Sequence, residues 1–233
     1  MPPKPDIAAA SPEPLVLERV VKRYGQGAPV LDGLSHTFAP GSATGLVGPN
    51  GSGKTTLLRL LTAQAYPTAG HVRYGALDVH AEPYRYLAHV GVVHDRPELP
   101  EALTAEELLE WVLRARGGWG TDAPARIAAQ LDAVRLDERR AEPIGTYSSG
   151  MTRKAQLAAA LVTAPAVLVL DEPFRGLDVE STEAAVALLR GFHRAGGTLL
   201  LATHRRPELE ALVGEVLDLG AVGRRGATAS ASR

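Results

Sequence analysis

Gly48-Pro49-Asn50-Gly51-Ser52-Gly53-Lys54-Thr55 matches the pattern G-x-x-x-x-G-K-[ST], and what flanks it decides the fold. Before it, Ala43-Thr44-Gly45-Leu46-Val47 reads as a buried strand. After it, residues 55–63, with Leu57, Leu58, Leu60 and Leu61, read as a mostly buried helix. Glycines let such a loop wrap an anion with its N–H groups turned inward, and the helix N-terminus adds partial positive charge. Lys54 reaches the outer phosphates, the Thr55 hydroxyl can ligate Mg²⁺, and Thr56 beside it counts with the nucleotide-binding residues. The implied ligand is a nucleoside triphosphate.

Outward from the loop, three patterns follow one another. Residues 15–38 hold short apolar runs broken by Tyr24-Gly25, Gly27, Pro29 and Asp32-Gly33, which reads as antiparallel strands and turns. Residues 70–93 return to short strands around Val72-Arg73-Tyr74 and Val90-Gly91-Val92-Val93. The pattern then turns helical. Thr104-Ala105-Glu106-Glu107 is a capping box opening a helix through Leu108, Leu109, Val112 and Leu113 that stops near Gly117-Gly118, and a second helix includes Ile127, Leu131 and Val134. From Gly150 onward, helix (to about 162), strand (167–170), helix (181–193), strand (198–202) and a last helix and strand alternate, the signature of a parallel α/β core. The expected fold is α/β: a P-loop NTPase with a RecA-like core, an antiparallel β subdomain and a helical insert, the helical subdomain covering about 97–162. Residues 1–14, with Pro2, Pro3, Pro5, Pro12 and Pro14, read as a disordered leader, and residues 224–233 as a loose tail.

Composition removes several classes of chemistry. The 233 residues suit one large domain or a core carrying subdomains. With Lys plus Arg at 25 and Asp plus Glu at 26, the chain lacks the basic excess of a nucleic-acid coat, so no nucleic-acid partner is expected. It has no cysteine, which excludes disulfide frameworks, thiolate metal sites and thiol nucleophiles. No apolar stretch approaches the roughly 18–20 residues that span a bilayer, so the chain is not expected to cross a membrane unaided.

A second group of residues completes a site. Val167-Leu168-Val169-Leu170-Asp171-Glu172 is an apolar strand ending in two acids, which burial tolerates only at the strand's mouth or beside a cation. In P-loop enzymes the first such Asp holds Mg²⁺, usually through water, and an adjacent Glu can orient or deprotonate the attacking water. Asp171 is therefore the metal candidate and Glu172 the candidate base. His204 follows the strand 198–202 and so emerges at the edge where α/β folds assemble ligand sites, within range of a γ-phosphate. The other histidines read as structural or exposed.

Taken together, residues 15–223 resemble the nucleotide-binding domains of ABC transporters, with several motifs in the family's order. Tyr24, 24 residues before Gly48, looks like the aromatic residue on which the family stacks adenine. Tyr147-Ser148-Ser149-Gly150-Met151 stands where the signature Leu-Ser-Gly-Gly-Gln is expected; Ser148, Ser149 and the Gly150 N–H at a helix start can grip a γ-phosphate, though Ser-Ser-Gly is also an ordinary helix cap. The resemblance implies a head-to-tail dimer, homodimeric or with a paired ATPase subunit, sandwiching two ATP–Mg²⁺. Asp178 would cross the interface near the opposite site; its plain reading is a helix cap. His94-Asp95 occupies the place of the family's Gln, and the expectation is that Asp95 substitutes as a Mg²⁺ contact.

The implied function is an ATPase subunit driving separate transmembrane permease subunits from the cytoplasmic face of the membrane. The Tyr-Ser-Ser-Gly-Met and Asp-Glu-Pro-Phe stretches look similar to exporters of the ABC-2 type, including haem-exporter ATPases. A soluble ABC-type protein acting mechanically on a nucleic-acid or ribosomal partner is the alternative, and a small-molecule P-loop kinase a third reading; cargo and direction have no residue in this chain to name them.

Overall fold

The computed structural model describes residues 12–96 and 98–221. The expected leader lies outside these residues up to position 11, and the expected tail at 224–233 lies outside them entirely. The chain opens with β1 (Leu15–Lys22) and β2 (Leu31–Phe38); β3 (Ala43–Val47) then leads through the glycine loop into α1 (Lys54–Leu61). β4 (Ala69–Tyr74), β5 (Leu77–Asp78), α2 (Pro83–Leu87) and β6 (Val90–Val93) follow. A helical stretch holds α3 (Ala105–Ala115), α4 (Ala123–Ala133) and α5 (Ser149–Leu161). The last part alternates β7 (Val167–Asp171), α6 (Val179–Arg194), β8 (Thr198–Ala202), α7 (Arg206–Leu212) and β9 (Glu215–Asp218).

The strands form a parallel sheet in the order β6-β7-β8-β3-β9 and an antiparallel one in the order β2-β1-β4-β5. Side-chain alternation makes the parallel sheet the middle layer. Val167 and Val169 of β7 and Leu200 and Ala202 of β8 join the core that holds Leu57 and Leu60 of α1 and Leu15 and Phe38 of the antiparallel sheet. Leu168, Leu170, Leu199 and Leu201 point the other way, into a core shared with Leu109, Leu131, Ala158 and Leu189 of the helices. Strands covered on both faces must be apolar throughout, which is why β7 and β8 read as continuous runs. α5 lies so close to β6 that a Cβ on Gly91 would stand 2.2 Å from the Ala160 carbonyl oxygen.

The parallel register aligns the strand ends. Leu46 pairs with Ala202, Ala202 with Asp171, and Leu170 with Val93. Gly48, Asp95, Glu172 and His204 therefore all leave the sheet at its C-terminal edge, where open α/β sheets place their ligands. The capping box expected at Thr104 is present in both directions, Glu107 N–H to Thr104 Oγ1 at 3.1 Å and Thr104 N–H to the Glu107 carboxylate at 2.8 Å.

Two expectations change. Asp32-Gly33, read as a turn, lies within β2, where Gly33 at φ +67° takes the extra residue of a bulge between the pairs Val20–Leu34 and Lys22–Leu31. The stretch read as short strands up to Val93 contains α2, which starts at Pro83; Pro is suited to a first helical turn because its missing N–H would have no partner there. Among the described residues no helix is long and apolar enough to cross a membrane.

Candidate active site

The glycine loop is built for an anion. Gly48 has φ +145°, and a Cβ there would meet the Ser52 hydroxyl at 2.5 Å; Gly53, at φ +98°, abuts Val30 and Leu31 at the start of β2. Of the N–H groups of residues 50–54, Ser52's alone has a partner among the described residues, Pro49 O at 3.1 Å. Lys54 Nζ folds back to donate to Gly48 O at 2.7 Å and Pro49 O at 3.2 Å, and the buried Ser52 hydroxyl has no partner among the described residues. Free backbone donors, an ammonium held by two loop carbonyls and a buried hydroxyl without a partner among the described residues fit a polyphosphate.

Thr55, on the first turn of α1, and Asp171, at the end of β7, line one cleft of about 970 Å³ together with Asp95. The Asp171 carboxyl is pushed up to about 6, first by burial, then by the negative charges of Asp95 and Glu172, with Arg175 and Arg153 opposing. A divalent cation would relieve that excess of negative charge, so the donor set fits Mg²⁺ with oxygen ligands.

Glu172 is held in place. Its backbone sits in the left-handed region at φ +50°, unusual for a residue with a side chain, and its N–H continues the sheet by bonding Ala202 O at 2.8 Å. The carboxylate accepts from Thr203 Oγ1 at 3.1 Å and from the His204 N–H at 3.0 Å, and the exposed His204 ring lies 3.7 Å from it. Arg205 clamps the neighbouring turn through Phe174 O at 3.3 Å and Thr182 Oγ1 at 3.2 Å.

Ser148, Ser149, Gly150, Asp178 and Tyr24 are not among the residues lining this cleft. Ser148 caps α5, accepting from Met151 N–H at 3.3 Å. Ser149 and Gly150 pack on Gly176; a Cβ on Gly150 would reach Gly176 O at 2.6 Å. Asp178 caps α6 through Ser181 N–H at 2.7 Å, which holds its carboxyl below the usual range. Tyr24 is half exposed beyond β1, with the Lys22 ammonium 4.8 Å from its ring centre. Asp95 is engaged by Arg175 at 2.5 Å. Sequence reasoning missed Thr203, Arg153 and Arg175. Thr203 had a positional signal, since it precedes His204 at a strand end.

A parallel sheet with this loop at the end of β3, an acid pair at the end of β7 and a histidine after β8 defines a P-loop NTPase. The family model described as ABC transporter matches residues 31–175. Nod factor export ATP-binding protein I of Ralstonia nicotianae is 36% identical over 221 residues, covering 94% of this chain and 68% of that protein. Its counterpart in Paraburkholderia xenovorans is 38% identical over 195 residues, 84% of this chain and 64% of that one. Daunorubicin resistance ATP-binding protein DrrA2 of Streptomyces coeruleorubidus is 35% identical over 199 residues, 85% and 62% respectively. The chain thus spans about two thirds of the length of these relatives. In fold it is similar to a solved ATP binding subunit of an ABC transporter, with TM-score 0.82, 25% identity and 88% and 86% of the two chains covered. A bacterial ABC transporter cassette solved as a dimer gives 0.80, 24%, 88% and 95%. The chain belongs to the ABC transporter family: its fold and phosphate loop are those of the family's ATPase domain, and ATP with Mg²⁺ is the nucleotide it takes.

Proposed function

We propose that the chain hydrolyses ATP as one of two cassettes that close around two ATP molecules and thereby drive separate membrane subunits in an export transporter. The observation that carries this reading is the placement of Glu172: Thr203 and His204 fix its carboxylate at the sheet edge from which the phosphate loop also springs. On ATP binding Lys54 exchanges the carbonyls of Gly48 and Pro49 for the outer phosphates, which the N–H groups of residues 50–54 also face. Glu172 orients a water and takes its proton; His204, exposed beside it, contacts the γ-phosphate. Thr55 and Asp171 hold Mg²⁺, which supplies charge neutralisation at the phosphates. Tyr24 stacks on adenine.

The signature residues Ser148, Ser149 and Gly150 have no place in the cleft of their own chain, which supports a second copy or a paired ATPase as the source of the phosphate they grip. Asp178, exposed at the start of α6, lies at that contact. Export is the direction supported by the names of the two Nod factor export relatives, and the cytoplasmic membrane face is the location such a partner implies. The test has two arms. Glu172→Gln should keep ATP binding and lose more than about 99% of turnover, the scale of a missing general base. The wild-type chain should co-purify with a membrane protein; recovery of ribosomes or DNA instead would overturn the transport reading.

A further inference from the structure

Arg175, on the turn between β7 and α6, sets a guanidinium nitrogen 2.5 Å from Asp95 Oδ1, a charge pairing without the alignment of a hydrogen bond. Its own N–H donates to Glu172 O at 3.1 Å, so Arg175 belongs to the turn that starts at Glu172 and ends at Asp178. Asp95 belongs to the loop after β6. A second arginine fixes that loop from behind: Arg153 of α5, only 2% exposed, bonds the carbonyls of His94 and Asp95 and, at 2.9 Å, Gln156 Oε1. One arginine thus holds the loop's backbone and the other claims its carboxylate. Three acids, Asp95, Asp171 and Glu172, meet these two cations at the edge where the metal is read to bind.

We propose that Arg175 is a positioning residue that withholds the Asp95 carboxylate from Mg²⁺, so that Asp95 and Arg175 act on the metal site as a neutral pair and Asp95 is not a ligand. The inference rests on Thr55 and Asp171 holding the metal, and it replaces the expectation that Asp95 does so. Its electrostatic consequence is specific. Asp95→Asn leaves a bare guanidinium near the site and weakens metal binding; Arg175→Gln leaves a bare carboxylate and strengthens it; the double variant restores it. A ligating Asp95 gives a different pattern, since its loss weakens binding whether or not Arg175 is present.

The experiment titrates Mn²⁺, as a stand-in for Mg²⁺, into the chain with a non-hydrolysable ATP analogue and reads free Mn²⁺ by electron paramagnetic resonance. The expected result is a loss of roughly tenfold for Asp95→Asn and a gain of similar size for Arg175→Gln, the order of effect of one unit charge on a partly exposed side chain screened by water and salt. The double variant should return to within about twofold of wild type, and Arg175→Lys, which keeps the charge, should match wild type. Arg175 is exposed, so Arg175→Met serves as a second neutral replacement that does not disturb the fold. A double variant as weak as Asp95→Asn overturns the proposal, as do four equal affinities. If Asp171→Asn and Thr55→Ala leave Mn²⁺ binding unchanged, the metal-site reading itself fails, and this proposal with it.

Discussion

Replacing Asp171 by Asn should stabilise the nucleotide-free chain at neutral pH while removing its response to Mg²⁺. In the folded protein the Asp171 carboxyl titrates near 6, against an ordinary value of 3.8, because burial and the charges of Asp95 and Glu172 disfavour its ionised form. Folding is therefore coupled to protonation. The contribution is fully favourable below about pH 4, is lost as pH rises towards 6, and stays lost above it. A gap of roughly two pH units corresponds to about 3 kcal/mol; with part of the group in contact with water and the charges screened, about half of that remains. Asn is neutral throughout and nearly isosteric, and no side-chain hydrogen bond to Asp171 is present among the described residues to be lost. In EDTA at pH 7.5 the variant should melt about 3–6 °C above wild type, the difference closing as pH is lowered to about 4.5. With ATP and Mg²⁺ the order should reverse, since only wild type gains the linkage stabilisation of the bound metal. A variant that melts below wild type at pH 7.5 without metal would refute the reasoning.

Other perturbations test separate parts of the account. Lys54→Ala removes the cation proposed to face the outer phosphates and should weaken ATP binding at least about tenfold in a direct assay, with little change in melting, because its partners among the described residues are the Gly48 and Pro49 carbonyls. Gly91→Ala drives a Cβ against the Ala160 carbonyl, an atom that cannot turn aside, and should cost about 1–3 kcal/mol of unfolding free energy by denaturant titration. Ser148→Arg should abolish ATP-induced association in sedimentation while leaving ATP binding to the phosphate loop within about twofold, since Ser148 caps α5 away from the cleft around Thr55 and Asp171.

What the sequence made legible follows from how locally each feature is determined. The glycine loop, β7 and β8 carry their own evidence: positive-φ glycines beside a lysine, and apolar runs that only a sheet covered on both faces can use. The capping box at Thr104 is equally local. α2 was illegible because five residues give no helical period, and Pro83 reads as a breaker unless its position at a helix start is known. The bulge at Gly33 depends on pairing with β1, so its Asp-Gly step looked like a turn. In the candidate site, Glu172 was visible from its strand, but its anchors Thr203 and the His204 N–H come from β8's end, 31 and 32 residues later. Arg153 could have been suspected, since it shares a helix face with Gln156 and Leu157 at spacings of three and four. Arg175 could not: its partner Asp95 is brought to it only by the register of β6 against β7.

The central claim is that ATP closes two copies of this cassette, with Glu172 needed to open them again. Sedimentation velocity of Glu172→Gln with and without ATP–Mg²⁺, with nucleotide counted in the separated species, tests it most directly. A monomer that becomes a dimer holding two ATP molecules only when nucleotide is added is the result expected. A chain that stays monomeric with its phosphate loop saturated by ATP would contradict the account.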